Sequence, residues 1–549
     1  MNKKLLFEIG SEEIPARFVP NSIKQLKVIT ENKLKEYRID FESINVFATP
    51  RRLTLYIDSI NTTQSDLELT IKGPSIKAAF DNNKNPTRAL EGFMRSNSVE
   101  IKDTFTKLSG KSEYIYAKKI EKGLPTKEIL EKILPEILFS IKFSKTMKWG
   151  SYTIKYPRPI RWVVAIFGTD TLNIEIGNIK ASNITFGHRT LSNKNVNLTP
   201  DTYFDKLKIA NVIVNHNERK NMIRYQIENL SKSENADAQI DEELLEEVNY
   251  LVEYPTAFIG NFDQKYLNLP KEVVITPMKE HQRYFPLFKN GKLINKFIGV
   301  RNGDEKSIDI VKTGNERVLK ARLEDAQFFY NEDKKIRLEE RVNELKTIVY
   351  QEKLGTVYDK VLRVSKISDY IANELHLENE KKDMLKKTTL ISKADLVTLM
   401  VNEFDELQGL MGMYYAIENN IDKEIAKALY TQYLPKFSGD NVPKDTLGMI
   451  MSISDRVDTI VGSFGIGTVP TGSNDPYGLR RQALGMISII LENNLNLDIN
   501  KILRFSSHLY NNNVITNIDS VINEIDIFIR QRLRVLFIEK GYRYDIVDS

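Results

Sequence analysis

The sequence predicts a multidomain α+β protein with a mixed α/β N-terminal half and a mostly α-helical second half. Its 549 residues exceed what one hydrophobic core usually organises, so about two to four domains are expected. Before Asn315, short alternating or continuous apolar runs typical of strands are mixed with apolar residues at helical spacing. From Asn315 onward, helical spacing dominates.

The first part of the chain alternates predicted strands and helices. Residues 5–9 predict a strand halted by Gly10, and the apolar spacing of residues 18–37 predicts a helix. Thr126 is expected to be the N-cap of a helix that follows it. Further strands are predicted at residues 46–48, 53–57, 114–120 and 160–167, and a further helix at residues 85–97.

The pattern changes near residue 199. Thr199 followed by Pro200 predicts a helix start, because threonine caps N-termini and proline suits the first turn; this helix is expected to reach about Ser231. Thr276 and the following proline predict another helix start for the same reason. Residues 250–252 and 257–260 predict strands, and residues 287–300 predict a hairpin that turns at Asn290 and Gly291.

The last part of the chain is predicted to be helical. Apolar residues recur at helical spacing from residue 342 to 371, with Gly355 as the expected turn or kink, and residues 527–535 form an amphipathic basic helix. We therefore predict four domains. They are an α+β domain at 1–198, a mixed α/β domain at 199–335, a helical domain at 336–500 and the helical start of a C-terminal domain at 501–549.

Composition narrows the classes of function. The 79 Lys and Arg residues against 74 Asp and Glu give a net charge of +5, which permits a polyanionic partner without requiring one. The absence of cysteine excludes disulfides and cysteine-ligated zinc, and the five histidines show no metal-ligand spacing. No apolar run approaches the ~20 residues of a membrane span, and Glu8 interrupts any signal peptide. We expect a soluble cytoplasmic protein without a membrane partner.

Acidic residues on the apolar helices are candidates for a metal site. Asp395, Asp455 and Asp458 could ligate a divalent cation, and their helical context resembles the metal-dependent phosphohydrolase fold named for its His-Asp pair. Where that fold places its His-Asp doublet, this chain has Ala394 before Asp395, and Lys393 would repel a metal. We therefore expect a degenerate HD-type fold with no metal, in which Asp395 and Asp455 are vestigial acids.

A glycine-rich segment invites comparison with a phosphate-binding loop. Such a loop requires the pattern Gly-x-x-x-x-Gly-Lys followed by Ser or Thr, and the lysine neutralises phosphate. The segment from Gly467 through Gly472 to Ser473 supplies the glycines but not the lysine. We interpret it as a loop that ends a helix.

Arginines beside aromatic residues or turns are candidates for RNA contact, because the guanidinium binds phosphate and stacks on unpaired bases. For any single one of them a surface ion pair is the preferred interpretation, and only as a group do they suggest RNA contact. The candidates are Arg51, Arg52, Arg158, Arg161, Arg189, Arg283, Arg317, Arg322, Arg480 and Arg481.

Ordered motifs occur along the whole chain. They are residues 7–15 (FEIGSEEIP), 48–53 (ATPRRL), 185–189 (TFGHR), 276–285 (TPMKEHQRYF), 314–319 (GNERVL), 322–326 (RLEDA), 406–409 (ELQG) and 464–467 (FGIG). Together they resemble the β subunit of bacterial heterotetrameric glycyl-tRNA synthetase, from about residue 4 to 545.

This resemblance implies a function and a set of partners. It implies a non-catalytic, tRNA-binding subunit of a glycine–tRNA ligase that works as an α2β2 tetramer, with ATP, Mg²⁺ and glycine bound by the α subunit. No cofactor is expected in this chain, and no residue of it is expected to be catalytic. Family members continue into a helical anticodon-binding domain, and this chain ends shortly after Asp545, near the start of that domain.

Two alternatives stay open at this point. The chain could be an active metal-dependent phosphohydrolase of the HD type, which would require a metal at Asp395 and Asp455. It could also be an assembly scaffold that makes no RNA contact of its own. Metal analysis and tRNA-binding measurements separate these hypotheses.

Overall fold

The computed structural model describes residues 2–548 except for 82, 83, 111, 193, 473, 512 and 513. It divides into two compact units. Unit 1 comprises Met1–Gly260, Arg283–Lys292 and Lys296–Gly314, and unit 2 comprises Asn261–Gln282, Leu293–Asn295 and Asn315–Ser549. The predicted mixed α+β character is confirmed, while the division into four domains stays a prediction.

Most of the β-structure lies before Asn315. The strands are β1 (Asn2–Ser11), β2 (Ile44–Thr49), β3 (Arg52–Asn61), β4 (Leu67–Ser75), β5 (Thr104–Ser109), β6 (Ser112–Glu121), β7 (Ile160–Phe167), β8 (Asp170–Thr171), β9 (Glu175–Ile176), β10 (Ile179–Lys180), β11 (Ile184–Phe186), β12 (Asn195–Asn197), β13 (Asp237–Ala238), β14 (Pro255–Asn261), β15 (Phe285–Lys289), β16 (Lys292–Asn302), β17 (Val349–Gln351) and β18 (Gly355–Thr356).

Helices occur throughout and dominate the second half. They are α1 (Val19–Glu36), α2 (Ile76–Ala79), α3 (Arg88–Asn97), α4 (Thr126–Ser140), α5 (Tyr203–Ile209), α6 (His216–Ser233), α7 (Glu242–Asn249), α8 (Lys271–Thr276), α9 (Ile308–Asp333), α10 (Leu338–Arg341), α11 (Val357–Glu374), α12 (Asn379–Ile391), α13 (Leu399–Glu403), α14 (Leu410–Glu418), α15 (Lys423–Thr431), α16 (Thr446–Gly465), α17 (Leu479–Glu492), α18 (Ile499–Ser507), α19 (Ile518–Glu539) and α20 (Tyr544–Asp548). In the described part of the chain, no helix combines the length and the apolarity that a membrane span needs.

A five-stranded antiparallel sheet forms the centre of unit 1, in the order β2-β3-β1-β7-β8. Strand β1 lies between β3 and β7, and its residues from Leu5 to Ser11 are buried. This burial on both faces explains the nearly continuous apolar run of β1, because neither face meets water. Apolar residues of α1 and α4 cover one face, and those of α5 cover the other.

Two further sheets have more than two strands among the described residues. A three-stranded sheet, β4-β6-β5, has α2 and α3 packed on one face. A four-stranded sheet has the order β13-β15-β16-β14. The predicted hairpin turn between β15 and β16 is confirmed, since Asn290 and Gly291 have φ angles of 51° and 74°, as a tight two-residue turn requires.

Unit 2 is built around α16, which is buried along most of its length. Helices α11, α15, α17, α18 and α19 contact it. A helix surrounded in this way must be apolar on nearly all sides, and this explains the run of Ile, Met and Val residues in its sequence. Its aspartates, Asp455 and Asp458, therefore need partners inside the unit.

The predicted long helix from Thr199 to Ser231 is wrong. Thr199 does begin a short helical turn, Pro200–Thr202, but α5 ends at Ile209 and α6 starts only at His216. Asn211 has a φ of 58°, and the three valine and isoleucine residues after it are buried and belong to no helix or strand. Burial of these side chains beneath the central sheet outweighs the local helical pattern.

Other predicted boundaries also need correction. Pro125, not Thr126, is the N-cap of α4, and the Thr126 hydroxyl is buried without a hydrogen-bond partner among the described residues. Thr276 is the last residue of α8 and also the N-cap of a π-helical segment, Pro277–His281, so the predicted helix start is found, but inside a helical stretch that already began at Lys271. Residues 250–252 form a turn after α7 and not a strand, and Gly355 belongs to the small hairpin of β17 and β18.

His216 is the first residue of α6 and lies between the rings of Phe47 and Tyr250, at centroid distances of 6.3 and 6.0 Å. Its Nδ1 has no hydrogen-bond partner among the described residues. Burial lowers the pKa of the imidazole to about 4, and the nearby Arg219 contributes in the same direction. The folded protein therefore holds this ring neutral at pH values where an unfolded chain would protonate it.

We predict that unit 1 loses stability as the pH falls from about 6.5 to about 4, because only the unfolded state takes up the His216 proton in that window. Lys220 opposes protonation and Glu246 favours it, so the net loss is expected to be up to about 2 kcal/mol for this partly exposed ring. Urea unfolding at several pH values measures it. The variant His216→Gln should lose less stability over this window; an unchanged pH profile would contradict the assignment.

Candidate nucleic-acid interface

Three loops meet at one end of the central sheet of unit 1. The amide of Ser11 donates to the carbonyl of Arg51 at 2.9 Å, and the amide of Glu12 donates to the carbonyl of Pro159 at 3.0 Å. The end of β1, the turn between β2 and β3 and the start of β7 are thereby joined. Residues distant in the sequence come together at this edge.

Four of the predicted arginines converge here and form what we call the arginine cluster: Arg51, Arg158, Arg161 and Arg189. The guanidinium of Arg189 pairs with Glu12, and Arg161 Nε lies 3.4 Å from Glu12 Oε1.

Glu13 contributes to the same cluster. Arg189 Nη1 lies 3.7 Å from its carboxylate, and Arg158 Nε donates to its backbone carbonyl at 3.1 Å. The side chains of Arg161 and Arg189 are 61% and 49% exposed, so their guanidinium groups remain accessible. The positive charge of the cluster exceeds the negative charge of the two glutamates, and this excess suits an anionic ligand.

Arg51 links the cluster to the sheet. Its guanidinium lies 5.3 Å from the centroid of the Trp162 ring, and its Nε is buried without a hydrogen-bond partner among the described residues. Burial lowers the pKa of Arg51, and the neighbouring charges of Arg52 and Arg189 act in the same direction. An anion approaching this edge would relieve that repulsion.

Arg52, in contrast, is fully buried and has no exposed surface with which to contact RNA. Its Nη1 pairs with Glu253, its Nη2 donates to the carbonyl of Phe186, and its Nε lies 3.7 Å from Glu8. Burial alone would lower the pKa of Arg52, but Glu253 and Glu8 raise it. We interpret Arg52 as a structural cation that fixes the base of the arginine cluster.

Glu8 holds Trp162 in place beneath the cluster. Its carboxylate is fully buried and accepts hydrogen bonds from Trp162 Nε1 at 2.6 Å and from the Tyr203 hydroxyl at 2.5 Å. Gly10 is required beside it, because an added Cβ would come within 1.8 Å of the indole. Neither Glu8 nor Glu253 was predicted as a site residue from the sequence. The position of Glu8 inside the apolar run of β1 was a signal that could have identified it as a buried, paired acid.

The remaining arginine candidates lie elsewhere. In unit 1, Arg283 Nε pairs with Glu247 at 2.8 Å. In unit 2, Arg317 is exposed on α9, Arg322 Nη1 pairs with Glu403 at 2.9 Å, and Arg480 lies 4.0 Å from the Asp475 carboxylate at the start of α17, next to the exposed Arg481. The structure does not bring these residues into the arginine cluster.

The acids of unit 2 belong to a buried charge centre, which we define as Lys360, Arg363, Lys393, Asp455 and Asp458. Arg363 Nε donates to Asp458 Oδ1 at 2.7 Å, and Lys360 Nζ donates to Asp458 Oδ2 at 3.2 Å.

The two lysines of this centre flank the second aspartate. Lys393 Nζ and Lys360 Nζ lie 3.2 and 3.5 Å from the same Asp455 oxygen. Burial would raise the pKa of Asp455, but Lys360 and Lys393 hold it well below its usual range. The two lysine ammonium groups thus occupy the space beside the Asp455 carboxylate that a metal ion would need.

Asp395 has a different role. Its Oδ2 accepts hydrogen bonds from the backbone amides of Gly409 and Gly412, at 2.5 and 3.2 Å, where α14 begins. Burial raises its pKa, and the two amides act against that rise. Asp395 therefore fixes a helix start inside the unit.

These residues do not fit a divalent metal. The lysine ammonium groups would repel it, and among the described residues no group of three or more His, Asp or Glu side chains is placed to hold one. The described residues of the glycine-rich loop also provide no support for a phosphate-binding site. Gly467 and Gly472 have φ angles of 77° and 48°, typical of turns, and Ser473 lies outside the described residues.

Comparison with known proteins agrees with the ordered motifs. A family model described as glycyl-tRNA synthetase beta subunit matches residues 5–549. The chain is 47% identical over 550 residues to the glycine–tRNA ligase beta subunit of Clostridioides difficile strain 630. It is 43% identical over 553 residues to that of Desulforamulus reducens and 42% identical over 554 residues to that of Moorella thermoacetica. Each comparison covers 100% of this chain and 80% of the relative.

Proposed function

The chain belongs to the family of glycyl-tRNA synthetase beta subunits, and from this membership we propose that it binds and positions glycine tRNA for ATP-dependent glycylation at the active site of an α subunit. The beta-subunit names of its relatives support an α-subunit partner and a tRNA substrate. We further propose an α2β2 assembly in the cytoplasm, with ATP and Mg²⁺ bound through the α subunit.

The arginine cluster is the observation that supports RNA binding most directly. It presents Arg161 and Arg189 at the surface over a rigid base made by Trp162 and the buried Arg52 pairs. Phosphate contacts require positive charge and reach, and they fix the register of a protein on its nucleic acid. In the free protein these two guanidinium groups pair with Glu12, and in the complex with tRNA a phosphate group would replace the Glu12 carboxylate.

We also propose that the helical part of unit 2 is a degenerate HD-type fold whose metal chemistry has been lost. The support is the buried charge centre, in which Lys360 and Lys393 neutralise Asp455. In this proposal the helices are retained as a structural core, and the charges that remain exposed, such as Arg481, are available to RNA or to the α subunit.

Reversing the charge of Arg161 and Arg189 together tests the RNA interface. We predict that Arg161→Glu with Arg189→Glu lowers the affinity for glycine tRNA about tenfold near 0.1 M salt. The slope of log affinity against log salt should fall by about two, because two phosphate contacts no longer release counterions. Fluorescence anisotropy with labelled tRNA over a salt series measures both quantities.

A matched control carries the same change in net charge. Lys208→Glu with Arg224→Glu alters two surface cations of unit 1 that, like the test pair, are held by glutamates, Glu218 and Glu242. The control should keep most of the affinity and the salt slope of the wild type. Equal losses in both double variants would show that net charge alone matters and would contradict the assignment of the interface.

A further inference from the structure

The three-stranded sheet β4-β6-β5 has two different faces. On one face Ile115 and Ala117 are buried beneath α2 and α3, with Leu90 in the same apolar cluster. On the other face the side chains of adjacent strands follow the pairing register, which places Lys72, Tyr116 and Phe105 in one row across the sheet. The next row contains Tyr114 and Lys107.

Aromatic rings on this second face form a platform. The rings of Phe105 and Tyr116 are 5.8 Å apart between centroids and inclined by only 26°, so they present nearly parallel planes. Both side chains remain partly exposed to solvent. Phe105 also lines a groove of about 680 Å³ at the edge of the sheet, together with Lys118 and Ile120.

Lysines surround the platform. Lys72 Nζ lies 3.7 Å from the centroid of the Tyr114 ring, and Lys107 Nζ lies 6.0 Å from that of Tyr116. Lys72, Lys107 and Lys118 are all exposed. In the described part of the chain no ion pair engages Lys72 or Lys107, and Lys118 Nζ pairs with the exposed Glu68 at 2.8 Å. Stacked aromatic planes with cations beside them match the chemistry of unpaired nucleotides, whose bases stack while their phosphates need positive charge.

We propose that this open face binds unpaired nucleotides of RNA, with bases stacked on Phe105 and Tyr116 and phosphates contacted by Lys72, Lys107 and Lys118. The proposal rests on the proposed function in taking tRNA as the physiological ligand, but it names a surface separate from the arginine cluster. Duplex RNA hides its base faces inside the helix and offers only phosphate and sugar, so the face should prefer single strands.

The test compares an unstructured single-stranded RNA of about eight nucleotides, a site size suited to a small binding face, with a blunt RNA duplex and with full-length glycine tRNA. The variant Phe105→Leu with Tyr116→Leu keeps apolar side chains in the sheet but removes the stacking planes. Tyr225→Leu, at an exposed tyrosine of α6, is the matched control, and Tyr116→Phe retains the aromatic plane. Circular dichroism confirms that each variant is folded.

We expect the double leucine variant to lose about tenfold or more in affinity for the single strand, with duplex binding unchanged. The control and Tyr116→Phe should bind the single strand like the wild type. If the double variant binds the single strand as well as the wild type does, or if the wild type prefers the duplex, the face is not a stacking surface.

Separate outcomes distinguish this proposal from the proposed function. Wild-type binding of tRNA together with unaltered single-strand binding by the double variant would overturn only the sheet face. Single-strand binding that depends on Phe105 and Tyr116, without any tRNA binding, would support the face and overturn the proposed function. Absence of both kinds of binding would overturn both.

Discussion

Replacing Asp458 by alanine is expected to lower the free energy of unfolding by about 3–5 kcal/mol. The Asp458 side chain is fully buried, and it accepts hydrogen bonds from Arg363, Lys360 and the Tyr510 hydroxyl, the last at 2.7 Å. Alanine would leave the two cations buried without this carboxylate, and an unpaired buried charge is far more costly than the loss of one hydrogen bond. Guanidinium unfolding followed by circular dichroism measures the change.

Two further variants show whether unpaired buried charge causes the loss of stability predicted for Asp458→Ala. Asp369→Ala removes an exposed aspartate of α11 and should change the free energy of unfolding by no more than about 0.5 kcal/mol. Replacing Asp458 together with its two cationic partners, Asp458→Leu with Lys360→Met and Arg363→Met, should be less destabilising than Asp458→Ala alone, because Asp455 and Lys393 remain as a pair and no buried charge is left uncompensated. If Asp458→Ala stayed within about 1 kcal/mol of the wild type, the charge centre would not stabilise unit 2 as described.

Elements whose apolar pattern matches their burial were predictable from the sequence. Strand β7 and helix α1 have apolar patterns that match their final environment, so the predicted and observed bounds agree closely. Strand β1 was found where it was predicted, but it is longer than residues 5–9 and continues through Gly10 to Ser11, so the predicted stop at Gly10 is wrong. The hairpin at Asn290 and Gly291 was predictable because the two residues suit the left-handed backbone of the turn. In each case local chemistry and tertiary packing favour the same structure.

Predictions failed where tertiary contacts oppose the local pattern. The segment between α5 and α6 has the spacing of a helix, but Val212 and Val214 are more stable when buried against the central sheet. At Thr276 the predicted start of a helical segment is found, but α8 already begins at Lys271, after Pro270, so Thr276 marks the change to a π-helical segment and not the first turn of a new helix. Sequence spacing contains no information about which distant surface will cover a segment.

The candidate site was only partly predictable for a similar reason. The sequence identified the arginines of the cluster one by one, but their grouping depends on loops more than a hundred residues apart, such as those containing Glu12 and Arg161. The sequence indicated that Lys393 would repel a metal ion, but it did not identify Lys360 and Arg363 as partners of the buried aspartates. They lie within the apolar repeat of α11, where single cations look like residues on a solvated face.

The second prediction with a large expected effect concerns catalysis: glycylation activity is expected to be either fully present or absent, depending on the α subunit. This chain contributes RNA contacts in the proposed function, and the aspartates of its buried charge centre are neutralised by Lys360, Lys393 and Arg363. Glycine activation requires a site for ATP and Mg²⁺, which the proposed function assigns to the α subunit. We therefore expect the chain alone to be inactive, and we expect charging only when both subunits are present.

The most direct test is the glycylation of glycine tRNA by this chain with and without a co-purified α subunit, together with glycine-dependent ATP–pyrophosphate exchange. We predict no exchange and no charging by the isolated chain, and charging when the α subunit is added. The control variant Lys208→Glu with Arg224→Glu should charge like the wild type, and Arg161→Glu with Arg189→Glu should charge more slowly at limiting tRNA. Exchange by the isolated chain, or an absence of charging by the two subunits together, would contradict the account.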